Sequence, residues 1–159
     1  MTKLIRPPEL VVQSWLNTDG SLSLEALRGK VVAVFAFQML CPGCVQNSLP
    51  QARSVHALFN QDDVTVIGLH TVFEHHKANT EEVLKAFMHE NRITFPVGID
   101  MPSDDSTPFP QTMKAYQMQG TPTLILVDRQ GYLRKHKLGH ENDLVLGAEL
   151  MKLVEDKGY

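Results

Sequence analysis

Cys41 and Cys44 are the only cysteines in 159 residues, and they stand three apart in Cys41-Pro42-Gly43-Cys44. Chance would place two scattered cysteines at that spacing in roughly one sequence in a hundred, so the pair signals redox or metal chemistry. It directly follows the apolar run Val31-Val32-Ala33-Val34-Phe35-Ala36-Phe37. A cysteine where a buried strand ends and a helix begins faces unpaired backbone N–H groups and the positive helix end. Both favour the thiolate, which is the reactive form.

The elements that must hold the pair are legible as periodicity. Lys30 to Phe37 reads as a strand buried on both faces of a parallel-type sheet. A helix is expected from about Pro42 to Phe59, with Val45, Leu49, Ala52, Val55 and Leu58 turned inward and Pro50 kinking it. Upstream, Leu10 to Trp15 is extended, Asn17-Thr18-Asp19-Gly20 is a turn, and Ser23 to Gly29 is one helical turn. Val64 to Leu69 is a second buried strand. Thr80 caps a helix whose inner stripe is Val83, Leu84, Phe87 and Met88. Phe95 to Ile99 is a short strand, Pro102 to Pro110 an exposed loop with Asp104 and Asp105 at its solvated tip, and Thr112 to Gln117 a short helix. Thr123 to Val127 and Tyr132 to Leu138 form a hairpin across Asp128-Arg129-Gln130-Gly131, and a last helix runs from about Asn142 to Asp156. The expected fold is a single α/β domain over residues 1–159, with 1–8 as a tail: a sandwich on a central mixed sheet flanked by helices.

Bulk composition narrows the function classes. The chain is 43% hydrophobic and 21% charged, with a net charge of −3. These values suit a soluble globular domain and give no basic surface for nucleic acid or an anionic membrane. The short basic stretch Arg134-Lys135-His136-Lys137 reads as a solvated strand edge. No apolar stretch reaches the length of a membrane span, and the first residues lack a signal-peptide core. The expectation is therefore a cytoplasmic monomer, in which a lone cysteine pair is catalytic or metal-binding and not a permanent staple.

Three segments, taken together, resemble the thioredoxin fold, in its TlpA/ResA-like, AhpC/TSA-related branch. They are Leu27-Arg28-Gly29-Lys30-Val31-Val32, Cys41-Pro42-Gly43-Cys44, and Gly120-Thr121-Pro122-Thr123 followed by Leu126-Val127-Asp128-Arg129-Gln130-Gly131. The resemblance implies a thioredoxin-like three-layer sandwich and thiol–disulfide exchange without a cofactor. It makes Cys41 the exposed nucleophile and Cys44 the buried resolving thiol. Pro122 matches a cis proline facing the pair, and Thr121 a backbone rail for substrate; Met39 and Leu40 join them as an apolar docking surface. Partners would be a protein or small-molecule disulfide or dithiol and an upstream electron donor. The uncharged Pro42-Gly43 between the thiols suggests an intermediate redox poise, hence a reductase or relay.

The chain also departs from that pattern. The buried aspartate six residues before the first cysteine is here Phe35, the glutamate three residues after the second is Asn47, and the tryptophan before the first is Leu40. Pro50 comes six residues after the second cysteine, not five. Val34 and Gln38 stand where a peroxidase needs proline and threonine, which disfavours peroxide chemistry. The histidine-rich stretch His70-Thr71-Val72-Phe73-Glu74-His75-His76 follows the second long strand, where an α/β sheet builds its crevice. Its plainest reading is a solvated, flexible loop. Two others remain: His70 or Glu74 accepts the Cys44 proton in place of the missing acid, or histidines from 70–76 join both cysteines in a zinc or copper site for metal delivery. A redox-sensing module that does not turn over substrate is a further alternative.

Overall fold

The computed structural model describes residues 3–158. Six strands form one sheet: β1 (Val12–Leu16), β2 (Val31–Phe37), β3 (Val64–His70), β4 (Val97–Asp100), β5 (Thr123–Val127) and β6 (Leu133–Leu138). Their spatial order is β1-β4-β3-β2-β5-β6, with β2, β3 and β4 parallel and the remaining pairings antiparallel. The helices are α1 (Leu49–Leu58), α2 (Glu81–Glu90), α3 (Gln111–Ala115) and α4 (Asp143–Glu155). The β2-α1-β3 and β3-α2-β4 crossovers step the same way across the sheet. Right-handed connections therefore put α1 and α2 on one face. This is the mixed-sheet, thioredoxin-like sandwich expected from the sequence.

Two apolar clusters sandwich the sheet. On one face Phe35 and Phe37 pack with α1 (Leu49, Ala52), α2 (Leu84) and α4 (Leu150). On the other, Val34, Ala36 and Leu69 pack with Leu10, Leu24 and Met113. Every residue of β2 is buried, which fixes the strand's end, and with it the cysteine pair, at the centre of the sheet edge. Burial of each large side chain here stabilises the fold by about 1.5–3 kcal/mol.

Several expectations are corrected. The Pro42–Phe59 helix is not uniform: Cys44–Ser48 is a π-helical turn, in which the Leu49 amide donates to the Cys44 carbonyl five residues back. A π-turn absorbs one extra residue in a helix, and Pro50, with no N–H to give, follows it directly. The sixth-residue placement of the proline thus has a local structural counterpart. Leu58 is 82% exposed. Nine residues at 100° each put it half a turn from buried Leu49, so Phe59 packs on the core in its place. In α2, Leu84 and Met88 are buried while Val83 lies outward. The N-terminal segment is docked where described. The Leu133 amide donates to the Ile5 carbonyl, Arg6 stacks on Tyr132 with its Cζ 4.4 Å from the ring centre, and Tyr116 Oη donates to the Pro8 carbonyl. Residues 1 and 2 of the expected tail lie outside the described residues. Lys135 is not a solvated edge residue: its ammonium lies between Glu141 and Glu149.

Candidate active site

After β2 the chain turns through Gln38, Met39 and Leu40, and the Cys41 amide donates to the Gln38 carbonyl at 3.4 Å. The Cys41 carbonyl accepts the Val45 amide at 3.1 Å and so begins the helix. Cys41 is half-buried and Cys44 fully buried, both as free thiols. The Cys44 amide donates to Cys41 Sγ at 3.3 Å, one of the unpaired N–H groups of the helix start placed on the sulfur. The two sulfurs stand 2.6 Å apart.

The surroundings split the pair. Burial, reinforced by the neighbouring Cys41 thiol, pushes the Cys44 thiol up to about 12; the Gln38 backbone and the Thr121 side chain pull the other way. Cys44 is therefore held protonated at neutral pH, while Cys41 keeps both solvent access and an N–H donor. Opposite them, the Thr121–Pro122 peptide is cis. The Thr121 carbonyl lies 3.5 Å from Cys41 Sγ, and the Pro122 ring comes within 3.4 Å of the place a Gly43 Cβ would occupy. Cys41, Cys44, Thr121 and Pro122 form one constellation.

The other candidates separate. Leu40, 58% exposed, lies at the surface beside Cys41, whereas Met39 is buried in the core cluster and offers no docking surface. Leu138, not singled out in the sequence, is 54% exposed and passes within 3.7 Å of a Cβ position on Gly120, so it lies beside the cis-proline loop. Its only sequence signal is a large apolar residue closing an edge strand whose four middle residues are basic. Gln38 is a second omission. Its buried side chain accepts the Phe73 amide at 3.2 Å, tying the cysteine turn to the segment after β3.

His70 is the last residue of β3, not loop. It is 1% exposed, against Phe37 with ring centres 5.3 Å apart. Burial lowers its pKa to about 4, with Asn79 beside it acting weakly in the opposite direction. Among the described residues its Nε2 and the Asn79 Oδ1 are both buried without a hydrogen-bond partner. Glu74 is exposed. Neither His70 nor Glu74 hydrogen-bonds either sulfur; the polar contacts of the pair run to Thr121, to the Gln38 backbone and to each other. The 70–76 stretch is also not a free loop. Asn79 Nδ2 donates to the Glu74 and His75 carbonyls, and Thr71 Oγ1 to Asp100. Phe35 lies in the core, and Asn47 is exposed on the π-turn, so an acid at 47 would face solvent. Among the described residues no three of Cys, His, Asp and Glu converge to hold a metal ion.

A family model described as Redoxin matches residues 8–149. The chain belongs to the redoxin family. Among solved structures, it is 54% identical to a thioredoxin-like superfamily protein, with a TM-score of 0.91 over 94% of this chain and 96% of that one. It is 50% identical to a thiol-disulfide isomerase from Corynebacterium glutamicum, with a TM-score of 0.89 and the same coverage. The sporulation thiol-disulfide oxidoreductase A of Bacillus subtilis is 25% identical over 112 residues, 70% of this chain. The match spans only 61% of that relative's length.

Proposed function

We propose that this redoxin is a thiol–disulfide oxidoreductase working through Cys41 and Cys44. The observation that carries the reading is the asymmetry of the pair: one sulfur accessible and fed by an N–H donor, the other buried, protonated and in contact with the first. The Cys41 thiolate attacks one sulfur of a partner disulfide, forming a mixed disulfide and releasing the partner's other sulfur as a thiolate. Cys44 then attacks Cys41 Sγ, closing the Cys41–Cys44 disulfide and releasing the second partner sulfur. The Cys44 proton passes to the departing thiolate and the first released thiolate takes a proton from solvent, replacing the one Cys41 gave up on ionising, so two electrons move from the pair to the partner. A thiol donor of the same chemical class restores the dithiol. Thr121, Pro122, Leu40 and Leu138 form the surface on which the partner docks, and its substrates are protein or small-molecule disulfides.

Two neutral residues between the cysteines and no acid beside Cys44 support an intermediate poise and a reducing role in a thiol-rich compartment. The test is reduction of insulin by dithiothreitol. Wild type is expected to accelerate it and Cys41→Ser to leave it at the uncatalysed rate. Equal rates for the two proteins would contradict general reductase activity.

A further inference from the structure

Away from the cysteines, the groove between α1 and the end of α2 carries a concentration of positive charge that the overall balance of −3 conceals. Two hollows meet there, of about 650 and 420 Å³, and Arg92 and Thr94 line both. The larger has an apolar floor of Leu16, Met88 and Ile93 beneath Lys85 and His89. Arg53, Ser54 and His56 line the smaller.

Three features set this groove apart from an ordinary solvated face. First, among the described residues neither Arg53 nor Arg92 makes an ion pair or a side-chain hydrogen bond, a state only Arg28 shares, whereas Arg6, Arg129 and Arg134 are each engaged by protein groups. Second, acids are absent from two walls: none occurs from Cys41 to Asn60 or from Asn91 to Ile99. Among the described residues no acid lines either hollow, and of the carboxylates on α2 Glu82 is exposed. Glu81 is taken by Lys85 at 3.3 Å, and Glu90 lies 3.6 Å from His89, both in exposed pairs. Third, Arg92 holds the left-handed position that closes α2, at φ 54° with the Ile93 amide donating to the Met88 carbonyl at 2.9 Å, so a place usually given to glycine carries a guanidinium beside the groove. Closing the end of α2 accounts for a cation at Arg92, next to the last carbonyls of the helix. It does not ask for Arg53, which projects from the other helix.

We propose that this groove binds a small organic anion, its apolar body on Leu16, Met88 and Ile93 and its phosphate or carboxylate head held between Arg92 and Arg53. Each hollow by itself falls within the range of small-molecule sites, about 300–1,000 Å³. Guanidinium groups suit either head because both present paired oxygens to the planar fork. Ser54 and Thr94 supply hydroxyl donors at the same place.

The test is titration of the ¹⁵N-labelled full chain with phenyl phosphate, phenylacetate and inorganic phosphate, followed by amide shifts. Saturable shifts confined to Arg53, Arg92, Ile93 and Thr94 are expected with an aromatic anion, and the tighter of the two identifies the head. Inorganic phosphate, lacking the apolar body, is expected to bind at least about tenfold more weakly, as burial of several CH₂ equivalents on the floor requires. Arg53→Gln with Arg92→Asn, the latter a residue that tolerates left-handed backbone, is expected to weaken binding at least about tenfold. Both positions are exposed, so the spectrum elsewhere and the disulfide-exchange rate stay unchanged. No saturable shift with either aromatic anion would overturn the proposal. So would undiminished affinity in the double variant, or inorganic phosphate binding as tightly as phenyl phosphate.

Discussion

Strands β2 and β3 run parallel with Phe37 paired to His70, so the segments after them leave the sheet side by side. Each begins with residues able to move protons or bind metal. After β2 the chain enters a helix at once, with a spare N–H on Cys41 Sγ and the cis Thr121–Pro122 peptide opposite. After β3 it closes on itself: His70 is buried as a neutral ring, Asn79 clamps the Glu74 and His75 carbonyls, and Gln38 holds the Phe73 amide. Position at a strand end is therefore not what makes a side chain reactive. Access, a stabilising donor and a facing surface are, and only the segment after β2 has all three.

The largest expected effect breaks the comparison on its reactive side. Cys41→Ser should remove insulin reduction entirely. Alkylation sharpens the same point: at pH 8, iodoacetamide should modify Cys41 at least about a hundredfold faster than Cys44, because the thiolate is the nucleophile and Cys44 is both buried and pushed up to about 12. Peptide mapping reads the ratio, and equal rates would remove the asymmetry from which the mechanism is built.

The next prediction concerns the quiet side. His70 has a folded pKa of about 4 against an ordinary 6.5. The unfolded chain takes up this proton first as pH falls. The stability held by the neutral ring is thus complete above pH 6.5 and lost between 6.5 and 4, by up to about 3 kcal/mol. Urea unfolding across that range should show the slope, and His70→Gln should flatten it. At pH 7 the same variant should keep its reductase rate within about threefold; a collapse of rate would make His70 the proton acceptor after all.

Gly68→Ala probes the sheet beneath both segments. A Cβ there would lie 3.0 Å from Phe95 Cε2 and 3.2 Å from Phe37 Cε1 and Val97 Cγ2. Overpacking of this kind should cost about 1–3 kcal/mol by denaturant unfolding, with little change in rate. Smallest of all, Thr80→Ala removes the side chain that accepts the Val83 amide at the start of α2. It should cost about 1 kcal/mol.

The fold was legible because strong periodicity marked each element, and the site because a spaced cysteine pair and Thr121-Pro122 are local signals. What escaped depends on packing between distant segments. The π-turn left only an unusual proline spacing in the sequence. Met39 and Leu40 look equally apolar, yet the turn buries one and presents the other. His70 reads as the first residue of a polar loop, whereas its pairing with Phe37 extends the strand by one residue and buries the ring. Leu138 reaches the site only because β6 pairs with β5 beside the cis proline, a relation that spans 16 residues and carries no motif.

The division of labour between Cys41 and Cys44 is the central claim, and trapping tests it most directly. The reduced protein, with either cysteine changed to serine, is mixed with oxidised glutathione, and its adducts are followed by mass spectrometry. Cys44→Ser should accumulate a persistent mixed disulfide on Cys41, Cys41→Ser should accumulate almost none on Cys44, and wild type should pass to the internal disulfide. Equally fast capture of glutathione by Cys44 in the Cys41→Ser protein would contradict the account.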